Sequence, residues 1–276
     1  MTQTLSEETV GKQIPDTPDR RSPLALALSD YRVLIGRNVK HITRNPEMLI
    51  QAVSLPIVLL LLFRFMFGGA INLPGMAYVD YLVPGLVVVS IGFNSTTTVV
   101  GVASDLTNGL VERFRSMPMA GPAVLVGHVV AGVLRSLLSL VVMVAIGLAI
   151  GFRPGGGVLG WLGAIGLLAL FASGIFWLAT LLGSIAKTVE GASGLGMILV
   201  FIPYATSALV PTASMPGVLR VIVDNQPVTV LIDAVRALMN GTALGSTGWL
   251  ALAWWVGITA LAAFFAVRKF HQRSNG

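Results

Sequence analysis

Long blocks of apolar residues follow one another along the chain, separated by short segments rich in glycine, proline and charge. Each block is roughly 20 residues long, which at about 1.5 Å per residue matches the roughly 30 Å hydrocarbon core of a bilayer. Within lipid the protein itself must satisfy every backbone donor and acceptor, so only helices or closed barrels can span it. The blocks lack the alternation of barrel strands, and the pattern therefore predicts transmembrane α-helices.

Six such helices are expected, and hence an all-α integral membrane protein. The predicted spans are 47–67, 81–104, 123–150, 158–182, 195–211 and 249–267. Because six is an even number, both termini should lie on the same side of the membrane. That side then holds thirteen of the 18 Lys and Arg residues, and the positive-inside rule makes it the cytoplasm.

Four regions follow from the distribution of polar residues. The stretch 1–21 is polar and proline-bearing and lacks the apolar core of a signal peptide, so we predict a disordered cytoplasmic tail. Residues 22–45 form a separate amphipathic segment. The six-helix membrane domain is expected at 46–268, followed by a basic cytoplasmic tail at 269–276.

The segment 22–45 has apolar residues at helical spacing on one face and basic residues on another, including Arg37, Lys40 and Arg44. This pattern predicts a helix that lies on the membrane surface with its basic side toward anionic lipid. An ordinary cytosolic amphipathic helix would show the same stripe, so both interpretations stay open.

The composition argues against several classes of protein and functional site. Of the 276 residues 55% are hydrophobic and 11% are charged, and the mean hydropathy is +0.83, which a soluble core could not absorb. The net charge of +6 is spread along membrane-flanking segments, which favours a role in topology over nucleic-acid binding. The absence of cysteine excludes disulfides, thiolate metal sites and a cysteine nucleophile.

Enzyme and cofactor signatures are missing from the sequence. It contains no G-x-x-x-x-G-K-[ST] phosphate loop, no paired acids within a span and no zinc-binding motif, so we predict neither catalysis nor a bound cofactor or metal. No Asp or Glu falls near the centre of a predicted span, which argues against proton-coupled transport. Backbone carbonyls could still form a sodium site, so an ion-coupled secondary transporter remains an alternative.

The long loop between the second and third predicted spans, on the cytoplasmic side, combines charge with glycine, proline and two large apolar residues. Held between two helices, such a segment can act as a lever against a partner protein, with its charges giving orientation and its apolar residues filling a groove. Alternatively, its arginines only set topology. The charged, large apolar, glycine and proline residues in question are Gly109, Glu112, Arg113, Phe114, Arg115, Met117 and Pro118.

The segment 216–241 is too polar and interrupted to span the bilayer. Its second half carries an apolar stripe opposite a polar one, which predicts a pair of short helices dipping in from the outer face. Asp233 and Arg236 are spaced i,i+3 and are expected to pair. The pair would act as a gate over an exit pathway or as a structural plug between the fifth and sixth helices. Its candidate residues are Pro216, Gln226, Pro227, Asp233 and Arg236.

The sequence resembles the ABC-2 permeases and, within them, the daunorubicin-resistance (DrrB-like) drug exporters. The first matching motif is the glycine, the acidic–Arg pair, the further Arg and the closing Pro of the loop 109–118. The second comprises 209–220, 225–229 and 233–241. Their order and spacing relative to six spans carry the resemblance, which extends over nearly the whole chain after the tail.

The resemblance implies a permease that exports a hydrophobic drug, antibiotic or lipid-like metabolite across a bacterial plasma membrane. In that family the loop 109–118 docks on a separate ATP-binding subunit, and an extracellular re-entrant hairpin precedes the last helix. ATP and Mg would bind two such ATPase subunits, joined to two permease chains that are identical or different. Export of a polysaccharide or glycolipid is the alternative within the superfamily.

Arg135 falls inside the third predicted span, at a depth similar to that of a hydroxyl and amide cluster in the second. A charge near mid-membrane costs several kcal/mol unless it faces protein or water, and this cluster would satisfy its donors. The group would line a substrate route at the interface of two permease chains, or would be a buried structural pairing. Its candidate residues are Asn94, Ser95, Thr97, Thr98 and Arg135.

Overall fold

The structure, a computed structural model, describes residues 46–71, 73, 75–107 and 122–274. The predicted tail, the surface helix with Arg37, Lys40 and Arg44, and the loop 109–118 lie outside these residues. The described part is helical and contains no strand. Its α-helices are α1 Pro46–Leu62, α2 Tyr78–Thr107, α3 Pro122–Ala149, α4 Gly157–Ile185, α5 Val189–Phe201, α6 Gly217–Asn225, α7 Pro227–Asn240 and α8 Thr247–Ser274.

Within the described residues, five helices are long and apolar enough to cross a membrane. They are α1 with its π-helical extension Phe63–Phe67, and α2, α3, α4 and α8. Five of the predicted spans fall on these helices, which confirms an all-α, multi-pass architecture. The helix α8 continues to Ser274, beyond the predicted end of the last span at residue 267.

The predicted span 195–211 differs from the structure. The helix α5 begins earlier, at Val189, where the Thr188 hydroxyl accepts a hydrogen bond from the Gly191 amide at 3.0 Å. A 3-10 turn, Ile202–Tyr204, follows it, and the chain then leaves the helical conformation. Pro203 lies in this turn and has no amide to donate, so it favours the break. Hydropathy alone does not reveal such a break, because the segment beyond it remains mostly apolar.

The helix α2 forms the centre of the bundle. In its most apolar window 72% of the residues are buried within the protein, against 17% for α1 and 22% for α8, so these two lie at the periphery. Close packing around α2 depends on glycine. A Cβ at Gly183 of α4 would lie 2.6 Å from the Val99 carbonyl oxygen, and one at Gly85 would overlap the Ala208 carbonyl.

Two residues of α2 mark the two ends of the bundle. At the Asp80 end, the Asp80 carboxylate accepts from the Arg153 amide at 2.9 Å, and its carbonyl accepts from the Asn240 side chain at 3.1 Å. At the Asp105 end, α2, α3 and α8 meet through a buried apolar cluster that includes Leu125 and Phe270. The helical pair α6–α7 therefore belongs to the Asp80 end, and the loop after Thr107 leaves from the Asp105 end.

Candidate functional site

A cavity of about 300 Å³ lies among α1, α2, α3 and α5. Its lining is mixed: it includes a guanidinium, two amides and two hydroxyls, and the other lining side chains are apolar. We name it the Arg135 cavity. Its lining residues are Gln51, Ala52, Phe93, Asn94, Thr96, Thr97, Arg135, Met197 and Val200.

Arg135 is only 7% exposed, and its Nη1 donates a hydrogen bond to the Thr97 hydroxyl at 2.6 Å. The expected proximity of Arg135 to the polar cluster of α2 is therefore present. Its Nε is buried and has no hydrogen-bond partner. None of the ion pairs found within the described ranges includes Arg135. A nearly buried cation thus has one neutral partner in the described part of the chain.

Buried polar atoms without a hydrogen-bond partner concentrate around this site. Such atoms are rare in folded proteins because each forfeits the free energy of its lost hydrogen bonds to water. The described residues contain one such atom elsewhere, the Asn240 Oδ1. All the others lie along the middle of α2 and α3: Asn94 Nδ2, Thr98 Oγ1, Arg135 Nε, Ser136 Oγ and Ser139 Oγ.

Only some of the predicted pathway residues line the Arg135 cavity. Asn94, Thr97 and Arg135 line the cavity, whereas Ser95 and Thr98 are not among its lining residues. The Ser95 hydroxyl donates instead to the Gly92 carbonyl of its own helix at 2.6 Å. Gln51 and Met197 were not predicted, and Thr96 belongs to the predicted polar cluster of α2 but was not among the candidate site residues. A polar glutamine within the apolar α1 was the available signal.

Arg236 is the centre of a second polar group, at the Asp80 end, and is 9% exposed. Its Nη1 donates to the Asp233 carboxylate at 2.6 Å, so the pair expected from the i,i+3 spacing is present. Its Nη2 donates to the Ser207 carbonyl at 3.0 Å, and its Nε donates to the Tyr81 carbonyl at 3.2 Å. All three nitrogens of the guanidinium are therefore engaged, which offsets the cost of burying the charge.

Tyr81 contacts the same guanidinium with its ring, whose centre lies 3.6 Å from the Arg236 Cζ. Its hydroxyl donates to the Ser207 carbonyl at 2.6 Å, and the Ser207 hydroxyl donates to Asp233 at 3.0 Å. We name these four residues the Arg236 cluster. It joins α2, the non-helical segment 205–211 and α7. Neither Tyr81 nor Ser207 was predicted, since aromatic residues near a span end are common and give no specific signal.

The remaining predicted residues of the helical pair have different positions. Gln226 separates α6 from α7, and its side chain donates to the Ala205 carbonyl and, at 3.2 Å, to the Thr229 hydroxyl. The Pro227 carbonyl accepts from the Trp255 indole at 3.2 Å and so connects α7 to α8. Pro216 is exposed before α6 and takes no part in the Arg236 cluster.

A third polar contact lies at the Asp105 end. The His128 Nε2 of α3 is 2.8 Å from the Asp105 carboxylate of α2, and both side chains are partly exposed. Gly101 makes room for the imidazole, since a Cβ there would lie 3.3 Å from the His128 Cε1. The pair links the two helices that enter and leave the loop 109–118. The sequence analysis did not pair these residues.

Comparison with known proteins relates this arrangement to a transporter family. The model of the family "ABC-2 type transporter" matches residues 29–240. The daunorubicin resistance ABC transporter permease protein DrrB1 of Streptomyces coeruleorubidus is 31% identical over 255 residues, which cover 92% of this chain and 90% of the relative. The probable doxorubicin resistance ABC transporter permease protein DrrC of Mycobacterium tuberculosis is 26% identical, covering 89% and 90%. The chain therefore belongs to the ABC-2 type transporter family.

Proposed function

We propose that the chain is the transmembrane permease subunit of an ATP-driven exporter that moves a hydrophobic or amphiphilic drug, antibiotic or lipid-like metabolite out of the cell. The observation that carries the proposal is the 31% identity to a drug-resistance permease across 92% of the chain. The sequence has no phosphate loop, so ATP and Mg are assigned to a separate subunit. The complex would contain two permease chains and two ATPase subunits.

The proposed topology has six crossings with both termini in the cytoplasm. The apolar helical stretch Val189–Tyr204 is about 24 Å long at about 1.5 Å per residue, short of the roughly 30 Å core. The segment 205–211 completes this crossing. It is non-helical, but tyrosine hydroxyls satisfy two of its carbonyls: Tyr78 donates to Leu209 at 2.9 Å and Tyr81 to Ser207 at 2.6 Å. Irregular backbone is tolerated at membrane depth where protein buries it in this way.

The helical pair α6–α7 is proposed as a re-entrant element of the outer face. The contact of Asn240 with Asp80 lies at the end of α2, whereas Pro227 contacts Trp255, about two turns into α8. The start of α7 therefore lies deeper in the bundle than its end. In this position the pair can gate an exit pathway, with the Arg236 cluster holding it closed against α2.

Coupling to ATP is assigned to the loop 109–118. In the proposed mechanism Glu112 and Arg113 orient the loop on the ATPase subunit, and Phe114 and Met117 fill a groove on its surface. The helices on either side of the loop are α2 and α3, which also carry Thr97 and Arg135. Movement of the loop thus reaches the Arg135 cavity through two helices, without an intervening element.

The Arg135 cavity is the proposed substrate site, at the interface between two permease chains. Met197 on its rim is 55% exposed, so the cavity opens on the surface of the single chain. On the same helix Ile198 and Phe201 are 54% and 65% exposed, which leaves an apolar face available to a second chain. Alternating access would then expose the cavity to the inner and the outer side in turn.

Co-purification with a candidate ATP-binding subunit, sought in the genes adjacent to the one for this chain, tests the proposal. We expect the tagged permease to retain that subunit and to hydrolyse ATP faster when an amphiphilic substrate is added. Combined alanine substitution of Glu112, Arg113 and Phe114 should abolish retention. Arg220→Ala, an exposed change at the opposite end, should not. A permease that retains no ATPase subunit and moves solute down an ion gradient would overturn the proposal.

A further inference from the structure

We propose that the Arg135 cavity binds the anionic head group, a carboxylate or phosphate, of an amphiphile whose tail leaves through the cavity mouth. This inference rests on the proposed function, because that proposal identifies the bound molecule as cargo. It adds the chemical class of that molecule. The recognising element is the Arg135 guanidinium, which is 7% exposed and lies in the wall of the cavity.

The lining residues of the cavity provide no negative charge to neutralise the guanidinium of Arg135. None of its nine lining residues is acidic, and the one hydrogen bond of Arg135 found in the described ranges goes to the neutral Thr97 hydroxyl. A guanidinium at membrane depth is stabilised by a partner anion far more than by a hydroxyl. A neutral or cationic head group would leave this charge unpaired.

Two lining residues each carry a buried nitrogen that has no acceptor in the described part of the chain. The Arg135 Nε and the Asn94 Nδ2 are both buried without a hydrogen-bond partner, and Asn94 is 2% exposed. Both residues line the cavity. A carboxylate or phosphate offers several acceptor lone pairs and pairs with a guanidinium through two parallel bonds. An anionic group in the cavity would pair with the guanidinium of Arg135, which the Thr97 hydroxyl leaves without a counter-charge.

The remaining walls suit the tail of an amphiphile. Ala52, Phe93 and Val200 supply apolar surface, and the exposed lining residues Gln51, Thr97 and Met197 form the mouth. A volume of about 300 Å³ is at the lower end of the range for ligand pockets, about 300–1,000 Å³. It holds a head group with the first part of a tail, and the rest would lie along the apolar surface outside.

The test measures binding to the purified full-length permease in nanodiscs of phosphatidylcholine, without the ATPase subunit. The probes are a fluorescent fatty acid and its methyl ester, which share a tail and differ only in the anionic group. We expect the acid to bind at least tenfold more tightly than the ester. Equal affinities in the wild-type chain would overturn the proposal, and this comparison needs no variant.

Variants then assign the preference to Arg135. Arg135→Gln should reduce the acid-to-ester ratio to about one, Arg135→Lys should retain part of it, and Arg268→Gln, an exposed arginine of α8, should leave it unchanged. An unchanged preference in folded Arg135→Gln would contradict the assignment. If Arg135→Gln does not fold, the intermediate ratio of Arg135→Lys decides, since a ratio equal to wild type there contradicts the bidentate pairing.

A final measurement distinguishes exported cargo from a resident membrane lipid that carries the same kind of anionic head group. With the ATPase subunit and ATP present, release of the bound acid during turnover supports its role as cargo. Retention of the acid, together with competition by phosphatidylglycerol, supports the anionic site with a bilayer lipid as its occupant. The binding preference is measured without ATP, so failure of the anionic site and failure of the exporter proposal give different results.

Discussion

The guanidinium of Arg236 lies 3.6 Å from the centre of the Tyr81 ring and donates to the Tyr81 carbonyl at 3.2 Å. One side chain of α7 thereby contacts both the ring and the backbone in the first turn of α2. Through Ser207 the same contacts hold the non-helical segment 205–211 in place. The Arg236 cluster is thus the structural basis for the position of the helical pair α6–α7.

Arg236→Met should destabilise the folded permease. The change removes the cationic partner of Asp233 and one donor from each of the Tyr81 and Ser207 carbonyls, so a loss of about 1–3 kcal/mol is expected. Thermal unfolding of the purified chain, followed by tryptophan fluorescence, measures the effect. Arg220→Met is the matched control, because its ion pair with Asp224 is exposed at 53% and 41% and such pairs contribute little. Equal shifts in the two variants would contradict this role.

Changes at Tyr81 should separate its two contacts. Tyr81→Phe removes the hydroxyl that donates to Ser207 and keeps the ring beneath the guanidinium, so a loss of about 0.5–1.5 kcal/mol is expected. Tyr81→Leu also removes the cation–π contact and should lower the unfolding temperature further. The same fluorescence measurement gives the order. Equal unfolding temperatures for the two variants would show that the cation–π contact contributes nothing to stability.

Gly85→Ala should prevent the segment 205–211 from packing on α2. The added Cβ would overlap the Ala208 carbonyl, and a backbone atom cannot rotate away as a flexible side chain can. We expect the variant to be inserted but to elute as aggregate in size-exclusion chromatography. Gly166→Ala makes the same change in α4, where nothing lies within 4 Å, and should behave as wild type. A monodisperse Gly85→Ala protein would argue against this close packing.

The pair of Asp105 and His128 should act as one unit in coupling. Asp105→Ala and His128→Ala each remove the 2.8 Å contact between α2 and α3, so each should lower the substrate moved per ATP hydrolysed. The double variant should be no worse than either single one, the pattern of a shared interaction in a double-mutant cycle. Glu190→Gln, an exposed change at the same end, is the control. Additive losses would show that the two residues act independently.

Some parts of the fold follow from the sequence because their signals are local. Five spans are visible in hydropathy, since length and apolarity are properties of one segment. The contact of Asp233 with Arg236 follows from their i,i+3 spacing, and that of Arg135 with Thr97 follows from depth counted within two spans. In each case the prediction used only the residue spacing within one helix or the depth of a residue in the membrane.

Other parts depend on contacts between distant segments. Tyr81 and Ser207 are 126 positions apart, and their bond uses a backbone carbonyl, which every residue possesses. No residue pattern marks such an acceptor. The break after Tyr204 was missed for a related reason, because the segment beyond it is held by tyrosines of α2 that donate to the Ser207 and Leu209 carbonyls. The pairing of Asp105 with His128 likewise requires the relative rotation of two helices.

Transport by purified components tests the central claim, that this chain is the permease of an ATP-driven exporter. The permease and its ATP-binding subunit are reconstituted into vesicles, and a fluorescent amphiphile is followed with ATP or with an imposed proton or sodium gradient. Movement should require ATP and both subunits, and it should stop in the Glu112, Arg113 and Phe114 alanine variant. Movement driven by an ion gradient with the permease alone would contradict the claim.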